Sequence, residues 1–190
     1  FSAGDVYPPA SSFRADPLGA KAYFDGLRLL PDREVRRSLE AVRRLGSGAD
    51  TTLFLLGCAP FDRPWSSTQG LQELSDFLVQ GGRLVVTHAP TETEPMAAGF
   101  GPAPADAPAS LARHWDFAFH YAPQGEDADG VVPAVAARRT EHASVLLPET
   151  LPLRTATVFT NQSTDWLVLY TRDGAPAVMQ RDFGKGTLIL

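Results

Sequence analysis

One cysteine, Cys58, stands among the 190 residues, so no internal disulfide can form and the redox compartment stays open. Hydrophobic residues make up 44% and charged residues 21%, which supplies a core without such staples. No apolar run approaches the ~20 residues that span a bilayer, and no signal peptide is visible. An excess of basic charge is also missing. The net charge is −5 and the pI about 5.3, which argues against a general nucleic-acid binder. The basic run "REVRRSLEAVRRL" is offset by its own carboxylates and reads as a solvated face.

The usual chemical motifs are lacking too. "GSGAD" precedes a strand and not a helix, so it is a turn and no phosphate loop. His88, His114, His120 and His142 show no paired metal-ligand spacing. "EDADG" has part of a calcium-loop pattern, but Ala136 occupies the position of the closing carboxylate. "THAPTETE" reads as a polar loop, and the three tryptophans as core or rim packing. Neither a metal nor a cofactor is expected.

What is present is a pattern of helices and strands. Residues 1–12 read as an extended lead, and residues 13–190 as one α/β domain. Asp16 is a fitting N-cap and Pro17 a fitting first residue for a helix to Leu30, with Tyr23, Leu27 and Leu30 on one face. "EVRRSL" is expected as a short strand, and "TTLFLLG" as a buried parallel one. A helix capped by Ser66 or Ser67 carries Leu71, Leu74, Phe77 and Leu78 to Gly81-Gly82, and "RLVVTH" follows as a strand. This is a βαβ unit with a right-handed crossover. Residues 89–109 and 123–144 read as loops, with a short helix near 110–115 and the strand "FAFHYA" between them. The remainder reads as strands "LRTATVFT", "DWLVLYT", "PAVMQRD" and "TLIL", with turns at Asp173-Gly174 and "FGKG". The expected sheet is parallel in the middle and antiparallel at its C-terminal end.

In open α/β sheets ligands bind at the carboxyl ends of parallel strands. Here those ends are Gly57-Cys58 and Thr87-His88, and the entrance to the first helix should face the same edge. The expected ligand site is therefore Ser12, Arg14, Asp16, Cys58 and His88. A helix N-terminus with an arginine fork would hold a small anion. Against this, Asp16 can simply cap its helix while Arg14 and the serines pin the lead peptide. A thiol beside an imidazole can also form a reactive thiolate, which makes Cys58 with His88 the alternative, catalytic reading. However, "GCAPF" puts Pro60 and Phe61 after the cysteine and lacks the small flanking residues of a nucleophile elbow.

The segments "GDVYPPASSFRADPLGAKAYFDGL", "TTLFLLG", "GGRLVVTHAP" and "DWLVLYTRDGAPAVMQRDFGKGTLIL", in that order, resemble an uncharacterised bacterial membrane-protein family built on a domain of unknown function. The resemblance implies a flavodoxin-like fold of the class I glutamine amidotransferase type, with helices on both faces. It implies a transmembrane helix before the Tyr-Pro-Pro segment and more chain after the last strand, which would fit a start at Phe1 and a stop on "GTLIL". The domain would lie on the extracytoplasmic side, anchored through segments outside this sequence. The family lends no catalytic residues, and the amidotransferase signatures Gly-x-Cys-x-Gly and His-x-Glu are unmet here. The expectation is a non-catalytic binding or interaction domain for a small anionic ligand or an envelope protein. The alternatives are a cysteine-dependent hydrolase or amidase and a structural spacer.

Overall fold

The two apolar runs that read as strands lie side by side. β1 (Thr52–Cys58) and β2 (Arg83–His88) pair in parallel, with Leu53 opposite Leu84 and Leu55 opposite Val86. The structure is a computed structural model that describes Tyr7 and residues 10–15, 19–38, 42–46, 48–58, 68–88, 111–121, 134–154, 157–160 and 163–190. Helix α2 (Thr68–Val79) connects the two strands and lays Leu71, Leu74 and Leu78 into the core, all fully buried. Each such side chain contributes about 1.5–3 kcal/mol through the area it removes from water. The proposed caps Ser66 and Ser67 lie outside the described residues.

Seven further strands and one short helix follow β2. α3 (Leu111–His114) leads into β3 (Ala118–Tyr121). β4 (Val135–Arg139), β5 (Thr150–Leu153) and β6 (Thr157–Thr160) come next. β7 (Leu167–Arg172) and β8 (Ala175–Phe183) form a hairpin through Asp173-Gly174, and β9 (Gly186–Ile189) turns back on β8. The main sheet runs β1-β2-β9-β8-β7-β4-β5, and β3 pairs with β6 in a separate two-stranded ribbon.

This corrects the flavodoxin-like expectation. Parallel pairing is confined to β1-β2-β9 at one edge of the sheet, not its centre. A flavodoxin-like sheet needs a helical crossover before each parallel strand. β9 instead reaches β2 as the returning arm of a tight turn from β8, so no helix is needed there. Among the described residues only α1 and α2 run to eight residues or more, and the chain is β-rich. None of these helices is long and apolar enough to cross a membrane.

Three smaller expectations also change. Helix α1 spans only Lys21–Arg28, with Ala20 at its cap position and no side-chain cap. Asp16 and Pro17, the expected cap and first residue, lie outside the described residues. Residues 34–38 form no strand. Within the expected loop 123–144, β4 is a strand, and the expected strand "LRTATVFT" takes in only the last residue of β5, Leu153, and the whole of β6, which lie in different sheets.

Candidate functional site

The turn before α1 is folded back on the helix that it precedes. The Ser11 carbonyl accepts from Arg14 N–H at 3.1 Å and from Ala20 N–H at 2.9 Å, and the Arg14 carbonyl accepts from Lys21 N–H at 3.1 Å. A helix leaves its first N–H groups without internal partners. Here carbonyls of the preceding turn satisfy two at the helix entrance, which replaces a side-chain cap. The approach is so close that a Cβ on Gly19 would lie 2.0 Å from the Arg14 carbonyl oxygen. Only glycine lets the chain pass there.

The polar side chains of this turn are engaged within the fold. Arg14 is buried and donates from Nη1 to the Tyr7 carbonyl at 3.1 Å. Ser12 accepts from Arg37 twice, through Oγ (3.0 Å from Nε) and through its carbonyl (2.8 Å from Nη2). The Arg37 guanidinium also lies over the Phe24 ring at 3.8 Å and the Phe13 ring at 4.3 Å. Two charge-assisted bonds and two ring faces thus fix one arginine. Phe13 in turn stacks on Tyr7 with centroids 5.4 Å apart.

This turn meets the carboxyl end of β1. A Cβ on Gly57 would lie 2.2 Å from the Ala10 Cβ, and Gly57 N–H donates to Thr87 Oγ1 at 3.0 Å. The expected meeting of the helix entrance with the strand ends is therefore present at Ala10 and Gly57. Asp16 lies outside the described residues.

Cys58 and His88 are register partners, and a β-bulge determines how they face. From Leu55–Val86 to Cys58–His88 the chain advances three residues on β1 and two on β2. The extra residue is taken up at Gly57, whose φ is +66°. Without it, Cys58 would point away from Leu53 and Leu55. With it, Cys58 joins Leu84 and Val86 in the core and is 6% exposed. His88 follows Leu84 and Val86 at strand spacing, so thiol and imidazole share one face.

The His88 ring is enclosed by aromatic groups. It stacks on Phe119 of β3 at 5.6 Å and leans on Phe159 of β6 at 6.1 Å. Phe117 and Trp166 extend the cluster by edge contacts. Both ring nitrogens are out of contact with solvent, and among the described residues neither makes a hydrogen bond. Burial holds the imidazole pKa below its ordinary value. The Cys58 backbone lies near enough to favour the charged ring slightly, but it does not reach hydrogen-bond geometry. A base must reach the proton that it takes, and among the described residues this one reaches none.

One pair escaped the sequence reading. Ser75 Oγ and His114 Nε2 are 2.8 Å apart, linking α2 to α3. That is the separation of a nucleophile and its base. But Ser75 lies mid-helix, where neighbouring N–H groups serve the helix and cannot form an oxyanion hole. Desolvation lowers the pKa of His114, and no carboxylate orients its ring among the described residues. The pair ties elements together. Its residues are 39 apart, and no local motif announces it.

Two shallow depressions lie elsewhere, one at Arg138, Arg139, Glu149 and Thr150, the other between Val42 and α2. Neither includes an expected site residue. Among the described residues no group of three or more histidine, cysteine, aspartate or glutamate side chains is placed to hold a metal.

Fold and site together define a β-rich domain with a mixed sheet, in which Ser12, Arg14 and His88 contact other parts of the same fold. No family model matches the chain, and no curated protein matches it in sequence. Among solved structures it is similar to the exo-beta-1,4-mannosidase Op5Man5 from Opitutaceae bacterium strain TAV5, at 15% identity and a TM-score of 0.39. That match covers 85% of this chain but 29% of the mannosidase. The likeness is too slight to carry a fold or an activity.

Proposed function

We propose that this chain is a non-catalytic binding or interaction domain. The observation that carries this reading is the state of His88. Among the described residues its two nitrogens have no hydrogen-bond partner, and two phenylalanine rings pack against it. The groups that could have held a small anion are used internally as well: Arg14 on the Tyr7 carbonyl, and the helix-entrance N–H groups on Ser11 and Arg14. This favours a macromolecular partner over a small anionic ligand. The sequence resemblance supports a membrane-anchored parent with this domain on the extracytoplasmic side.

A second reading, a cysteine-dependent hydrolase or amidase, is favoured by one observation: the Gly57 bulge turns Cys58 onto the face that His88 occupies. One experiment separates the two. Turnover of an activated ester and of a primary amide is compared between the natural protein and Cys58→Ser. The binding reading expects no turnover that depends on Cys58, whereas turnover lost in Cys58→Ser overturns it.

A further inference from the structure

We propose that α1 and the segment following it, residues 21–37, form a docking surface for an anionic lipid bilayer. This deepens the binding reading above by naming a partner, and rests on it.

The first observation is exposed apolar side chains. Nine large hydrophobic residues are exposed among the described residues, and five of them fall within residues 7–30: Tyr7, Phe13, Tyr23, Leu29 and Leu30. Leu29 and Leu30 are adjacent at the end of α1 and are 86% and 51% exposed. Their backbone N–H groups are fixed on Gly26 and Leu27, so two aliphatic side chains are presented from an ordered turn.

The second observation is charge. Residues 21–37 contain five basic and three acidic residues, a local +2 in a chain of −5. The remainder therefore carries −7. Lys21 pairs with Asp25, and the Arg28 and Arg37 guanidinium groups both lie over the Phe24 ring, at 5.9 Å and 3.8 Å, so these cations are close together in space. Arg28, Arg33 and Arg36 are exposed.

An anionic surface would repel most of this molecule and attract this face, which orients the approach. Two adjacent leucines flanked by arginines, beside a tyrosine whose ring edge packs on Phe54, are a composition that lies at a membrane interface: apolar side chains enter the headgroup boundary while cations remain at the lipid phosphates. The adjacent leucines favour lipid over an acidic protein segment, which would satisfy the arginines and leave the leucines in water. A helix end offers a convex apolar tip, which suits insertion into a bilayer.

The test is flotation of the protein with vesicles of phosphatidylcholine alone and of phosphatidylcholine with phosphatidylglycerol. Two double variants accompany it, Leu29→Ser with Leu30→Ser and Arg33→Glu with Arg36→Glu. All four positions are exposed, and circular dichroism checks that each variant folds. The natural protein should float with the anionic vesicles only, and less so at high salt. Each double variant should bind at least about tenfold more weakly. Absence of flotation with anionic vesicles overturns the proposal, as does equal binding by the leucine variant. Capture of soluble polyglutamate without vesicle binding overturns it in favour of an acidic protein partner. Because vesicle binding and Cys58-dependent turnover are read separately, failure of this proposal is distinguishable from failure of the binding reading.

Discussion

Cys58 and His88 end neighbouring parallel strands as register partners, and a single extra residue at Gly57 puts their side chains on the same face. The proximity comes without a hydrogen bond between thiol and imidazole. The strand pairing is enough to bring the two residues together, and Phe119 and Phe159 of the aromatic ribbon β3-β6 pack against the His88 ring.

Gly57→Ala tests the bulge. The left-handed φ and the Ala10 Cβ at 2.2 Å both oppose a side chain at this position. The substitution should cost about 1–3 kcal/mol. It should appear in urea titration as a lower midpoint with an unchanged slope.

His88 predicts a pH dependence of stability. Its pKa in the folded state lies below its unfolded value of about 6.5, because burial opposes the charged ring. The unfolded chain therefore binds the proton more readily. The contribution of His88 is fully present above about pH 6.5 and is lost as pH falls from there towards the folded-state pKa. His88→Phe keeps the ring stack and removes the proton site. Unfolding midpoints measured down a pH series should therefore fall less steeply in that variant across this window.

Arg37 should act as a staple between the lead turn and α1. Arg37→Ala loses two charge-assisted hydrogen bonds to Ser12 and two ring contacts, and should cost about 1.5–3 kcal/mol. Arg37→Lys should recover little, since an ammonium lacks the planar fork. Thermal denaturation of both variants checks this.

Ser75→Ala removes a partner of His114 and should cost about 1 kcal/mol in chemical denaturation. A nucleophilic Ser75 would instead be revealed by modification with a serine-directed phosphonylating reagent, and none is expected.

Legibility in the sequence followed the strength of local pattern. β1, α2 and β2 could be read because their apolar periods are long and unbroken. β4 could not. "VAARR" has little intrinsic strand preference, and it is a strand because Ala137 packs fully buried with Leu169 and Tyr170. "LRTATVFT" looked continuous because nothing local reports that its first residue and its last four pair with different strands, Leu153 with Val135 and Thr157 with Tyr121.

The fold class failed for a related reason. Continuous apolar strands look alike whether a parallel partner arrives by a helical crossover or, as β9 does, from a tight turn. At the candidate site, the Cys58–His88 adjacency followed from the βαβ unit and could be anticipated. The engagement of Ser12 by Arg37 lies 25 residues away in sequence and could not.

The measurement that tests the central claim most directly is labelling of Cys58 by a soluble thiol reagent on folded protein, across a pH range spanning the free-thiol value of about 8.5. A thiol packed in the core should react only as fast as the protein unfolds, at every pH. Rapid labelling of the folded protein with a midpoint well below the free-thiol value would reveal an activated thiolate beside His88. That result would contradict the non-catalytic account.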